Sequence, residues 1–456
     1  MLGDDAQAPC VDGRARRYVD LDHAASTPVL AEVWEAVEAF APAYSSVHRG
    51  SGHKSQLATQ AYEAARRQVG RFVGARSDDA VVLVRNTTEA INVLSAALPA
   101  GTRVLSSRAE HHANMLPWRR HDLRLLPFTR SPEELVAACE RALAERRVDL
   151  VAVTGASNVT GEVWPVAELA AVAHRHGARL FVDAAQLAPH RRIDMAASGI
   201  DLLALSGHKL YAPFGAGALV GDMEWLRDGA PLLQGGGAIE LVTEDDVIWA
   251  DAPDRYEAGS PNVIGAVALG VACEHLGRLG MDEVASRERA LAEYLWDALA
   301  HVDGLETLTL WPAGSVDRVG VAAFNLEGYR HCLVAAILSA EHAIGVRHGC
   351  FCAHLLITRL LGVGDDEVAE LQAALKAGRR PPLPGAVRAS LGLGSTRADV
   401  DRLATALERL ARHGPGTSYR FVPSLDEYRA GSSATATAVL PTSIRTFSSD
   451  LIGKPL

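Results

Sequence analysis

Short apolar runs without polar alternation recur at residues 81–84, 104–105, 150–153, 180–182, 202–205 and 216–220. Between several of them, at 89–98, 132–144 and 166–176, apolar residues recur at helical spacing instead. A strand that is apolar throughout has to be covered on both faces. Alternating such strands with helices predicts a mostly parallel sheet between two helical layers. A further helical stripe, Leu57, Ala61, Ala65, Val69 and Phe72, precedes the first strand. The pattern thus gives an α/β large domain over 21–300, ending in two long helical segments at 262–279 and 283–302. Strand-like 319–325, 344–347 and 386–391, with helical 331–339 and 399–412, predict a smaller α+β domain over 301–412. Helical 365–376 and the Pro-rich stretch 379–385 interrupt it, so 355–385 is expected to be an insertion or lid. Residues 1–20 are expected to pack on the small domain. Residues 413–456 form a tail whose Ser-, Thr- and Ala-rich part, 431–449, reads as poorly ordered or draped over the surface.

With 456 residues, 48% hydrophobic and 22% charged, the chain can bury a large core. Its 45 basic against 55 acidic residues leave a formal net charge of -10, which disfavours nucleic acid or an anionic membrane as a partner. The N-terminus, Met1-Leu2-Gly3-Asp4-Asp5, has no basic segment followed by an apolar one. Apolar stretches are interrupted before the roughly 18 residues a membrane span needs. A soluble cytoplasmic protein is expected. Six cysteines, at 10, 139, 273, 332, 350 and 352, are too sparse for a disulfide framework. Cys139 and Cys273 fall in helical patterns and read as buried, inert thiols.

Three positions in order carry chemistry. After the first strand-like run, Arg85-Asn86-Thr87-Thr88-Glu89 places hydroxyls and free backbone N–H groups at a helix start, where an anion can bind. Asp183 ends a strand-like run and should stand in the crevice beyond the sheet edge. Lys209 follows another such run in Ser206-Gly207-His208-Lys209, beside two side chains able to donate to a phosphate. A phosphate cradle, a carboxylate for a ring nitrogen and an amine for covalent attachment are the requirements of pyridoxal 5'-phosphate. Each motif alone has an ordinary explanation, in helix capping, a loop aspartate or a solvated lysine. Downstream, Pro213-Phe214-Gly215-Ala216-Gly217 suits a tight return.

Eight ordered stretches make the resemblance specific: Leu21-Asp22-His23-Ala24-Ala25-Ser26-Thr27-Pro28, Val47-His48-Arg49-Gly50, Thr87-Thr88-Glu89-Ala90-Ile91-Asn92, Glu110-His111-His112-Ala113-Asn114, Ser157-Asn158, Val182-Asp183-Ala184-Ala185-Gln186, Ser206-Gly207-His208-Lys209 and Tyr256-Glu257-Ala258-Gly259-Ser260-Pro261-Asn262. Over roughly residues 18–412 the chain resembles the class V aminotransferases and, within them, the SufS-like (group II) cysteine desulfurases. The resemblance implies a homodimer with PLP-dependent transferase fold type I. It implies that Lys209 binds the cofactor and moves the Cα proton, that Asp183 meets the pyridine nitrogen, and that His111 stacks on the ring and shuttles a proton. Asn158 and Gln186 would lie by the ring hydroxyl and substrate side. Thr87, Thr88, Ser206 and His208 would hold the phosphate, and Ser260 would reach the phosphate of the partner subunit. His48 and Asn158 join the implied substrate contacts.

The segment Gly345-Val346-Arg347-His348-Gly349-Cys350-Phe351-Cys352-Ala353-His354 resembles the desulfurase loop that carries the persulfide-forming cysteine, which corresponds to Cys352. Arg388, in Val387-Arg388-Ala389-Ser390-Leu391, matches the arginine that takes the substrate carboxylate, a role suited to its two-pronged donor set. Two departures stand out. Cys350 and Phe351 replace histidines frequent in that loop, and the insertion after His354 lengthens the distance to Arg388. The implied activity is conversion of L-cysteine to L-alanine with a persulfide on Cys352, passed on to a possible sulfur-acceptor protein. The alternatives are a carbon–sulfur or selenocysteine lyase, a racemase, or an aminotransferase of a specialised pathway, and a non-catalytic scaffold or sulfur carrier. No metal is expected. A site from His348, Cys350, Cys352 and His354, a Cys350–Cys352 disulfide and an inert Cys352 remain the competing readings of the loop.

Overall fold

The apolar runs become strands of one seven-stranded sheet, ordered Ala80–Val84, Gly217–Gly221, Leu202–Ser206, Arg179–Asp183, Leu150–Thr154, Arg103–Ser107 and Asp122–Leu126. Only Gly217–Gly221 runs against its neighbours, and the remaining pairs are parallel. The computed structural model describes residues 1–227, 229–312, 314–423 and 425–431. The central strands Leu150–Thr154 and Leu202–Ser206 are buried along their whole length, as their composition requires. The edge strand Asp122–Leu126 was not foreseen. Its burial alternates, and Asp122 and Arg124 break the apolar run, because an edge needs cover on one face only.

Helices cover both faces. His53–Phe72 packs on Val263–Leu279 at close range: a Cβ at Gly270 would lie 2.6 Å from Ala65 Cα, a contact only glycine permits. Among the described residues no single helix is long and apolar enough to cross a membrane. Val263–Leu279 and Met281–Ala300 reach such a length only together, across a 77° bend, and both contribute to buried cores.

A second, antiparallel sheet is ordered Leu305–Leu308, Val321–Leu326, Ala386–Ser390 and Arg347–Gly349. The helix Met281–Ala300 links the two cores, with Met281 and Val284 in the first and Leu295 and Leu299 in the second. The strand expected at 344–347 is split. Ile344–Gly345 pairs in parallel with Val19–Asp20, which carries Val19 and Leu21 into the second core, whereas Arg347–Gly349 joins the sheet. The segment expected as an insertion or lid begins with a helix, His354–Leu360, whose Leu356 and Ile357 are buried in the first core; Asp365–Lys376 follows and is mostly exposed. Of the tail, a hairpin of Tyr419–Val422 and Glu427–Ala430 packs on the helix His331–His342, held by Arg330 to Asp426 at 3.0 Å and by the Tyr419 hydroxyl donating to Glu341 at 3.0 Å. Nearly all of the Ser-, Thr- and Ala-rich stretch lies outside the described residues.

Candidate active site

Five strands of the large sheet that run in the same direction end on one edge, and the chain leaving them builds a cavity of about 270 Å³. Asp183 and Ser206 are the last residues of their strands, while His111, Asn158 and Lys209 stand in the loops beyond strand ends. All line the cavity, together with Thr87, Thr88, Gln186 and His208. The small domain adds Cys352 and Arg388.

At one end Asn86 caps the helix Thr87–Ala97 by accepting from the Glu89 N–H. The Thr87 N–H and hydroxyl both meet the Ser206 hydroxyl, each at 2.8 Å. The Thr88 N–H has no partner within the helix, because the first turn leaves its donors free. Two hydroxyls, a free helix-start amide and His208 make a cradle that suits a phosphate.

At the sheet edge Asp183 is 4% exposed, and its Oδ1 accepts the Ala185 N–H at 3.0 Å. Burial raises its pKa above the usual carboxylate range, against the opposing pull of the Ala185 N–H and Lys209. A buried carboxylate in that condition is stabilised by a further cation, such as a protonated ring nitrogen. Burial also pushes the Lys209 amine down to about 8, with Asp183 opposing and Arg388 assisting. Lys209 Nζ donates to Gln186 Oε1 at 3.4 Å. Burial, then Lys209, pushes His111 down to about 3, so its ring is neutral. Its Nδ1 accepts the Ala113 N–H at 3.0 Å, which puts the ring proton on Nε2. These donors, charges and the amine fit pyridoxal phosphate.

The opposite wall is a loop. Phe351 and Cys352 have φ of +53° and +54°, and the Ala353 N–H closes the turn on the Cys350 carbonyl at 2.9 Å. Left-handed backbone at two successive residues with a Cβ is costly, so outside contacts must hold it. Asn158 Nδ2 donates to the Phe351 carbonyl at 2.8 Å, and the His112 N–H donates to the Cys352 carbonyl at 2.7 Å. Cys352 is exposed and, like Cys350, unbridged.

Arg388 lies behind this loop, 3% exposed, its guanidinium carbon 4.9 Å from the Phe351 ring centroid. It donates to the Asn158 carbonyl at 2.8 Å and to Asp22 at 3.2 Å; its Nε is buried with no partner among the described residues. Burial lowers it to about 10 despite Asp22. A cation so placed, with an unused donor, suits a small carboxylate.

Two expected positions are not brought to the cavity by this chain. His48 is exposed, 3.0 Å from Glu63 and edge-on to Tyr62, and Ser260 is exposed. Among the described residues no group of three or more His, Cys, Asp or Glu side chains is gathered so that it could hold a metal ion. Cys139 and Cys273 are buried, as expected, and burial raises both thiols.

Asp22, Arg347 and Glu110 had no assigned part in the sequence. Asp22 lies between Arg388 and Arg347 (3.7 Å), and Arg347 lines the cavity. Glu110, 1% exposed, accepts from Asn114 at 2.7 Å and from the Thr154 N–H at 2.9 Å; burial raises its pKa well above normal. All three lie within quoted motifs or next to the loop cysteines, but only tertiary contacts give them partners.

Residues 19–403 match the family described as aminotransferase class-V. The chain belongs to that family. A cysteine desulfurase of Dickeya dadantii is 38% identical over 415 residues, covering 88% of this chain and 93% of that protein. Among solved structures, the cysteine desulfurase CsdA of Escherichia coli is 32% identical with a TM-score of 0.73, covering 86% of this chain and 94% of that one. The apo cysteine desulfurase of Thermococcus onnurineus NA1 is 29% identical with a TM-score of 0.76, covering 87% and 95%. Within the class V family, this chain is a PLP-dependent enzyme with the type I fold, and its similarity places it with the cysteine desulfurase-like members.

Proposed function

We propose that this protein is a cysteine desulfurase that moves the sulfur of L-cysteine onto Cys352 and releases L-alanine. The observation that carries this reading is the convergence of Lys209, Arg388 and an exposed cysteine on one cavity. Pyridoxal phosphate would be held by Thr87, Thr88, Ser206 and His208 at its phosphate and by Asp183 at its ring nitrogen, under His111; once bound, it supplies the electron sink that makes the substrate Cα–H acidic.

The rest falls to the chain. Arg388 holds the substrate carboxylate, with Asp22 and the Asn158 carbonyl fixing the guanidinium plane. Lys209, lowered to about 8, is a base within reach of neutral pH and takes the Cα proton. The neutral His111, with its proton on Nε2, can donate at the substrate sulfur side. The Cys352 thiolate then attacks the substrate Sγ. A sulfur–sulfur bond forms, the Cβ–S bond breaks, and its electron pair stays with the substrate carbon, which is protonated to give alanine.

The exposed turn leaves the persulfide open to a sulfur-acceptor protein, and the cell compartment proposed is the cytoplasm. A homodimer is proposed as well. His48 and Ser260 stand away from their own cavity, and the hairpin Ile239–Val242 and Val247–Trp249 exposes Leu241, Val242 and Ile248, apolar surface that a second copy would cover. The deciding experiment supplies L-cysteine to PLP-loaded protein. Alanine together with an added sulfur on the Cys352 peptide is expected; pyruvate and ammonia with no added sulfur would make the protein a β-lyase.

A further inference from the structure

The turn that carries Cys352 grows out of the strand Arg347–Gly349, which pairs with Ala386–Ser390 so that Arg347 lies opposite Arg388. Gly349, with φ of +110°, lets the chain double back on that sheet. The ring of Phe351 is thereby laid over the Arg388 guanidinium, whose carbon lies 4.9 Å from the ring centroid. Phe351 is 9% exposed and belongs to the first core, whereas Cys350 is half-buried and Cys352 exposed. Of these three side chains, only the phenyl ring can anchor the turn by burial.

Two physical terms meet at that ring. Holding a residue with a Cβ in left-handed backbone is costly, and Phe351 and Cys352 both adopt it. Burying an aromatic ring is among the larger gains a single side chain offers, and it offsets that cost. The face of the ring also attracts the guanidinium charge without using any of its donors. Arg388 therefore keeps its bonds to the Asn158 carbonyl and to Asp22, and its Nε stays free for a ligand. Asn158 closes the figure: its backbone carbonyl accepts from Arg388, while its side chain donates to the Phe351 carbonyl. Arg388, Asn158 and Phe351 thus form a closed ring of three contacts.

We propose that Phe351 is a positioning residue that clamps the Cys352 turn to Arg388, holding the carboxylate site and the sulfur-accepting thiol in one register. The inference rests on the roles given to Arg388 and Cys352 in the proposed function. A shared contact couples both ways: the ring steadies the guanidinium for its carboxylate, and the guanidinium steadies the turn. Loss of the ring should therefore be felt at both places.

The test uses full-length, PLP-loaded protein and two probes that differ by one carboxylate, L-alanine and ethylamine, each titrated by visible absorption. Deuterium exchange, read by mass spectrometry, follows the turn through the Ala353 N–H, bonded to the Cys350 carbonyl, and the His112 N–H, bonded to the Cys352 carbonyl. Phe351→Leu keeps a buried apolar side chain and removes only the aromatic face. It should raise the dissociation constant of L-alanine about 3- to 10-fold and leave that of ethylamine unchanged. Phe351→Ala also removes the buried bulk, and should in addition speed exchange of both amides about tenfold. Arg388→Met takes the cation from the other side of the clamp and should speed the same exchange. An unchanged preference for L-alanine over ethylamine in Phe351→Leu overturns the proposal even if Phe351→Ala fails to fold, as does unchanged exchange in Arg388→Met; a ring that merely filled the core would give both results. The exchange measurement needs no turnover, so it judges the clamp even if the desulfurase reading fails. That failure would show separately, as absence of alanine and persulfide when the wild-type protein is given L-cysteine.

Discussion

The two walls of the cavity are built by different means. The floor, with Asp183, Ser206 and Lys209, sits on and just beyond the buried ends of two strands, so the sheet fixes these side chains. The Cys352 wall is an exposed turn with two left-handed residues, held by hydrogen bonds from Asn158 and from the His112 N–H of the large domain. Rigid floor and supported turn fit the division of labour that the proposed function would require: carbon chemistry demands fixed geometry, whereas a cysteine that is to accept sulfur and hand it on must be reachable.

The largest expected effect tests the floor. Lys209→Ala should cut alanine formation about 10³-fold or more, because the Cα proton loses its carrier. Retention of a tenth of the activity would move the base elsewhere and dissolve the contrast. Cys352→Ala should lower sulfide release about 100-fold while leaving the visible absorption and cofactor content of the loaded protein intact. A loss of cofactor in that variant would show that the turn also supports the floor.

Arg388→Lys sharpens the comparison at the boundary between the walls. A lysine cannot satisfy Asp22, the Asn158 carbonyl and a carboxylate in one plane, so kcat/KM for cysteine should fall roughly 10- to 100-fold, mainly through KM. An effect confined to kcat would place the arginine in the chemical step instead. The smallest effect concerns stability. Burial raises the folded-state pKa of Asp183 above its unfolded value, so the ionised carboxylate penalises the cofactor-free fold at neutral pH. Acidification through the raised pKa should relieve that penalty. Asp183→Asn should therefore stabilise the cofactor-free protein by on the order of 1 kcal/mol at neutral pH, abolish that relief in thermal melts, and bind the cofactor more weakly.

The segment 355–385, expected as an insertion or lid, shows what local pattern leaves out: its proline-rich and exposed residues are visible in the sequence, but not that Leu356 and Ile357 anchor its first helix in the core. Two buried side chains in a short helix make too little periodicity to be recognised without the surface they meet. The tail hairpin was hidden for a similar reason, since its partners are Arg330 and Glu341 on a distant helix.

By itself the sequence marked six of the seven strands of the large sheet, and Asp183 and Lys209 at or just past two of their ends, because an apolar run that needs two covered faces, and a reactive residue at its end, are local facts. Tertiary structure decided the rest of the site. It brought Cys352 and Arg388 to the cavity, set Asp22 and Asn158 against the guanidinium, and held Phe351 and Cys352 in left-handed backbone. Each of these is a directional bond or a packing contact between residues far apart in the chain. Hydropathy records how much a residue gains from burial; which donor meets which acceptor is settled only when the elements are in place.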